Sequence, residues 1–165
     1  MEQEQSVELF EEDYQIINRV LSRLLTEANA RIVLLVDRSG QLISSHGDTS
    51  NMDSTAFASL SAGNFAATSA LAKILGQDEF SVLFHQGEKE SIHISVVQSR
   101  VILVIVFDNR TSLGLVRLRV KKALEELSTV FENIFAKLGA SNKSRSLDSS
   151  FASVAESEID NLFKD

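Results

Sequence analysis

The sequence predicts one α+β domain, a single five-stranded sheet in the order 2-1-5-4-3 with three helices, arranged along the chain as helix-strand-strand-helix-strand-strand-strand-helix. Three observations lead there. Two unbroken apolar runs, Ile32–Val36 and Val101–Phe107, are too short for core helices and too continuous for strands wetted on one face, so they are central strands covered on both sides. Phe80, Val82 and Phe84 alternate with Ser81, Leu83 and His85, and Ile92, Ile94 and Val96 alternate with His93, Ser95 and Val97, which gives half-buried strands outside the central pair. Apolar stripes at steps of three and four precede, separate and follow the strands, as amphipathic helices require.

Taken in order, Phe10, Tyr14, Ile17, Leu21, Leu24 and Ala28 mark a first helix over about 8–28. Ile32–Val36 then leads through Asp37-Arg38-Ser39-Gly40, a turn with glycine where a positive φ is expected, into a second strand over 41–46. Asp53 is placed to cap a second helix over about 53–75, which ends at Gly76. Gln86-Gly87-Glu88 turns the third strand into the fourth. After Val101–Phe107, Asp108-Asn109-Arg110 stops the strand, and Thr111 or Ser112 caps a last helix over about 112–138 that buries Val116, Val120, Leu124, Leu127, Phe131, Ile134 and Leu138.

At 165 residues and 44% hydrophobic, the chain supports one domain with a real core plus a tail. The expected division is a folded domain at 1–138, a flexible linker at 139–150, rich in small polar residues, and a docking helix at 151–165 opened by the capping box Ser153-Val154-Ala155-Glu156. Phe151, Val154, Ile159, Leu162 and Phe163 would share one side of that helix. Cysteine is absent, no secretory signal is read, and the longest apolar run is seven residues, so the reading is cytoplasmic with no membrane insertion. A net charge of −7 argues against nucleic acid, and the basic cluster Arg117, Arg119, Lys121 and Lys122 reads as a solvated helix face.

Catalytic chemistry of the chain's own finds no support. His46, His85 and His93 have no partner at metal-ligand spacing, no Gly-rich loop with a following Lys is present, and no serine lies in a nucleophile elbow. No catalytic residue, metal or cofactor is expected. Arg110 invites an arginine-finger reading, but a loop arginine beside Asp108 is more simply its ion-pair partner.

On a helical wheel the second helix gathers Ala56, Phe57, Leu60, Ala67, Leu71, Ile74 and Leu75 on one side, which is expected to be the core face, with Asn64 in the same sector. Ser59, Ala62, Gly63, Ala66, Ser69, Ala70 and Lys73 gather on another, nearly all small, with Phe65 expected to be an exposed aromatic anchor beside them. Composition alone leaves this second face open between an interface and a solvated surface of good helix formers. The strand carrying Phe80, Val82, Leu83 and Phe84 would leave an isolated domain with a hydrophobic edge, so a homodimer that continues the sheet is expected.

The runs NARIVLLVDRSGQLISS at 29–45, TAFASLSAGNFAA at 55–67, SRVILVIVFDNRTSLGLVRLRVKKA at 99–123 and EIDNLF at 158–163 resemble the roadblock (dynein light chain) family, in its branch of MglB-type bacterial polarity proteins. That resemblance implies a homodimer joined through the third strands, with the second helices antiparallel across the seam as the platform for one Ras-like GTPase of the MglA type. It implies GTPase activation, and influence of the tail on nucleotide exchange, without a catalytic residue supplied in trans. It also implies polarity and motility control, concentration at a cell pole and further polarity proteins as partners. The competing expectations are a passive roadblock scaffold, which binds partners without changing hydrolysis, and a small-ligand sensor.

Overall fold

The computed structural model describes the backbone of residues 2–162 and the side chains of residues 11–139. Two compact units divide the chain, one ending at Phe131 and one starting at Glu132. The elements are α1 (Glu2–Glu27), β1 (Ile32–Asp37), β2 (Leu42–Gly47), α2 (Ser54–Ile74), β3 (Val82–Gln86), β4 (Glu90–Val97), β5 (Val101–Asp108) and α3 (Leu113–Leu162). All five strands pair antiparallel in one sheet of order β2-β1-β5-β4-β3, as the two apolar runs predict. β5 is buried from Val101 through Phe107 because β1 and β4 flank it and helices cover both faces. Each such fully buried aliphatic side chain contributes about 1.5–3 kcal/mol.

One face of the sheet is the side of α2, where Ile32, Leu34, Val36, Ile94, Ile102, Val104 and Val106 pack with Ala58, Ala62 and Phe65. The residues of β1 and β5 between them, Val33, Leu35, Leu103 and Ile105, point to the other face and are equally buried. That face belongs to α1, through Ile17, Val20, Leu21 and Leu24, and to α3, through Val116, Val120, Ala123 and Leu127. Ion pairs Arg23–Glu126 and Arg119–Glu27 join the two helices along their rims. Tyr14, expected on the buried stripe of α1, is 46% exposed. Phe10 lies outside the residues whose side chains are described.

The turn chemistry follows the sequence. Gly40 takes φ +95° and Gly76 φ +77°, both in the left-handed region that glycine alone adopts freely. Asp53 caps α2 by accepting from the Ala56 N–H, and Ser112 caps α3 by accepting from the Leu115 N–H. Three differences from the expected elements stand beside this. Phe80 precedes β3 instead of lying in it. β4 is not half-buried, because His93 and Ser95 on its second face are 2% and 0% exposed and bond each other inside the domain. Residues 139–150, whose composition predicts a coil, are helical within α3. Proline is absent there, and a single Gly139 costs a helix only about 1 kcal/mol.

Candidate functional site

The sheet order leaves β3 as an outer strand, hydrogen-bonded only to β4 among the described residues, with Val82 43% exposed and Phe84 half-buried against Phe107. Leu83 turns to the α2 side and packs against the core there. Three of the four expected edge residues, Val82, Leu83 and Phe84, therefore lie on an open sheet edge, and Phe80 sits just before it.

Helix α2 seats on the sheet through Ala58, Ser61, Ala62, Phe65 and Ala72. This inverts the wheel reading. Most of the sector expected to be core is exposed instead: Leu60 is 73%, Leu71 58%, Ile74 81% and Leu75 70% exposed, and only Phe57 of that sector packs against the core, half-buried. Phe65, expected to be an exposed anchor, is 2% exposed, and Ala62 is buried with it. The cause is size, since Ala58, Ser61, Ala62 and Ala72 bring the helix backbone close to the sheet and leave one deep position, which Phe65 fills. The signal was present in the sequence, because 58, 61, 62, 65 and 72 are themselves spaced three, four and seven apart.

With its buried side fixed, α2 presents two exposed faces. Ser59, Gly63, Ala66, Ala70 and Lys73 are exposed and Ser69 half-buried on the flank toward the β1–β2 turn, so six of the eight predicted platform residues form a small-residue surface. A groove of about 370 Å³ runs there, lined by Ala62, Phe65, Ala66, Ser69, Ala70, Lys73 and Arg38. Sequence reasoning missed Arg38, which the turn carries across from β1. Its guanidinium lies 5.4 Å from the Phe65 ring centroid and pairs with Glu79 just beyond α2. Asp37 holds that turn by accepting from Ser39 Oγ at 2.6 Å and the Gln41 N–H at 2.9 Å. Partial burial pushes the Asp37 carboxyl upward, but the hydrogen bonds from Ser39 and Gln41 outweigh it and leave the carboxyl below its ordinary range.

On the opposite flank, toward β3, the apolar stripe of α2 borders a second groove of about 200 Å³ lined by Phe57, Leu60, Ser61, Asn64, His85, Ile92 and Ile94. Asn64 Nδ2 lies 3.0 Å from His85 Nε2, joining helix to outer strand across that groove.

Elsewhere, Arg110 Nε donates to both Asp108 carboxylate oxygens at 3.0 and 3.1 Å, so the ion-pair reading holds. Hydrogen bonding to Arg110 draws the Asp108 carboxyl below its ordinary value and raises the guanidinium. The histidines stay apart, with His46 beside Asn18 and Ser44, His85 on Asn64 and His93 beside Ser95. Among the described residues no three His, Asp or Glu side chains gather as a metal site would need, and no helix is long and apolar enough to cross a membrane. Phe151, Val154, Ile159, Leu162 and Phe163 lie outside the residues whose side chains are described.

The Roadblock/LC7 domain family matches residues 16–107. The chain belongs to that family. Among solved structures it is similar to MglB of Myxococcus xanthus, at 57% identity and a TM-score of 0.72, over 73% of this chain and 90% of that one. It is also similar to the gliding protein MglB of Thermus thermophilus, at 36% identity and a TM-score of 0.69, over 73% and 92% of the two chains. A third structure, described as MglB with a tetrameric arrangement, is 35% identical with a TM-score of 0.69, over 73% of this chain and 91% of its own. The roadblock chain is thus of the MglB type, a branch of polarity regulators.

Proposed function

We propose that this roadblock protein is a homodimeric regulator of a Ras-like small GTPase of the MglA type, which it stimulates to hydrolyse GTP in the control of cell polarity and motility. The observation that carries this reading is α2, with two differently built exposed faces on a fold 57% identical to an MglB. The small-residue face formed by Ser59, Gly63, Ala66, Ser69, Ala70 and Lys73 lets another backbone approach closely, which suits a docking platform for the GTPase. The apolar face and the open β3 edge receive a second copy, so that one GTPase sits on two chains.

The chain supplies no catalytic group. Arg110, the loop arginine, is engaged by Asp108, and the acceleration comes from holding the GTPase's own catalytic groups in place. The C-terminal helix bears on nucleotide exchange through Phe151, Val154, Ile159, Leu162 and Phe163, with 139–150 as the tether. The place of action is the cytoplasm, concentrated at a pole by further polarity proteins. A second reading is a scaffold that binds the GTPase without changing its rate. Single-turnover GTP hydrolysis by the purified GTPase, with and without this protein, separates the two. Acceleration supports the regulator; binding at an unchanged rate supports the scaffold.

A further inference from the structure

The groove between the β1–β2 turn and the small-residue flank of α2 has two charged groups in its lining, Arg38 and Lys73, and no carboxylate. Helix α2 carries no acidic residue anywhere between Ser54 and Ile74. The chain as a whole has a net charge of −7, so this groove is a cationic exception on an acidic protein. A partner segment bearing a carboxylate is repelled by most of the surface and attracted here, which gives it one place to dock. The floor at Ala62, Ala66 and Ala70 is low enough for the partner's backbone to come close, within reach of a short acidic side chain.

Arg38 is positioned by the turn that carries it. Its backbone N–H donates to the Arg100 carbonyl at 3.2 Å, and Gly40 sits so near α2 that a Cβ there would come within 3.1 Å of the Ser59 Cα. The turn is thereby fixed on the helix, and the guanidinium is set at the groove before any partner arrives. Of its three nitrogens only Nη2 is engaged, by Glu79, and the N–H groups of Nε and Nη1 have no hydrogen-bond partner among the described residues. The Arg38 side chain is 47% exposed and that of Glu79 20%, so an incoming group meets the guanidinium first. Lys73, exposed on the last turn of α2, has no carboxylate partner among the described residues.

We propose that this groove receives an acidic side chain of the GTPase, whose carboxylate accepts from the unengaged guanidinium N–H groups of Arg38 with Lys73 as a second counter-charge, and that Glu79 is an internal competitor for Arg38. Glu79 neutralises part of the charge that the incoming carboxylate would meet, and so sets the affinity below what Arg38 alone would give. The inference rests on the platform reading above and adds the chemistry of the partner segment and the residues that read it.

The test titrates the purified GTPase, loaded with a non-hydrolysable GTP analogue, against the full-length protein and its variants Arg38→Gln, Lys73→Gln and Glu79→Gln, with Tm measured for each. Arg38→Gln is expected to weaken binding about ten- to a hundredfold, the worth of one hydrogen bond between charged groups. Lys73→Gln should weaken it about threefold, and both losses should shrink as salt is raised. Glu79→Gln should instead tighten binding about threefold. That sign separates recognition from scaffolding. Arg38→Gln and Glu79→Gln break the same internal ion pair, so an Arg38 that only braced the turn would make the two variants bind alike. Should Arg38→Gln fail to fold, the sign for Glu79→Gln decides alone. A GTPase that does not bind the parent protein overturns the platform reading and this inference together. Binding that Ala66→Arg with Ala70→Arg abolishes, but that Arg38→Gln leaves within about twofold of the parent, keeps the platform and overturns the acidic contact. A Glu79→Gln variant that binds no tighter than the parent overturns the competition, and parental affinity in Lys73→Gln overturns the part given to Lys73.

Discussion

Phe65→Ala separates a core residue from an interface anchor. In the folded chain Phe65 is 2% exposed, packed among the β1, β4 and β5 residues on the α2 face, and its ring carries the Arg38 guanidinium at 5.4 Å. Truncating a buried phenylalanine to alanine costs about 3–5 kcal/mol, because the lost transfer energy and the cavity add. The cation–π contact with Arg38 adds about 0.5–1 kcal/mol at a partly exposed site. A domain of this size loses roughly 3 °C of Tm per kcal/mol, so the drop should be about 10–20 °C. The assay is urea and thermal unfolding of the purified variant by circular dichroism, with dimerisation and GTPase binding measured at a temperature where the fold persists. Loss of stability with binding retained in the folded fraction is the expected result. A variant that melts within about 2 °C of the parent but no longer binds the GTPase would refute the burial argument and return Phe65 to the surface.

Ala66→Arg with Ala70→Arg should leave Tm nearly unchanged, since both sites are exposed, but should weaken GTPase binding by about 2–5 kcal/mol through unpaired charges at the platform. Full acceleration by this variant would place the platform elsewhere. Arg110→Ala should keep most of the acceleration, measured in single turnover, whereas a fall of about 10³ with binding intact would reveal a finger. Truncation after Gly139, or Ile159→Ala with Leu162→Ala and Phe163→Ala, should leave folding and dimerisation intact while lowering affinity or slowing nucleotide release; parity with the parent in both would deny the tail a role here. Burial, then the nearby Arg117 charge, holds the His93 imidazole below its ordinary 6.5, and burial does the same at His46. Each therefore contributes stability that is fully present above pH 6.5 and is lost as pH falls toward the depressed folded-state values. Urea midpoints should drop from about pH 7.5 to about 5.5, and His93→Gln should flatten that slope; a slope unaltered by the substitution would remove His93 as a source.

The sheet was legible because its signals are local and redundant. Val101–Phe107 is apolar without a break, and only a strand between two others under two helix layers hides every one of its side chains. Asp53, Gly40 and Gly76 act within their own turns, so their roles were readable one by one. The orientation of α2 was not, because a wheel ranks faces by hydrophobicity and this helix buries a side of small residues around Phe65 while exposing Leu60, Leu71, Ile74 and Leu75. Arg38 was equally hidden, since no pattern in residues 37–40 indicates that the turn folds back over Phe65. Both concern Phe65, which α2 buries against the sheet and which Arg38 covers.

The inversion of α2 has a mechanical consequence. A helix seated by Ala58, Ser61, Ala62 and Ala72 lies close to its sheet and has little freedom to roll, because short side chains around Phe65 make the contact. Phe65 pins it against sliding. Large apolar groups are then free to point outward, where Leu60, Leu71, Ile74 and Leu75 form a stripe that an isolated soluble domain has no reason to keep. The small-residue flank on the other side of the same rigid helix is held at a fixed angle to that stripe. If the stripe packs against a second copy, as proposed above, that contact also fixes the two small-residue flanks relative to each other. A platform made that way would be geometrically exact although each residue on it is small and individually weak, and its accuracy would be lost with the second copy, even with every platform residue unchanged.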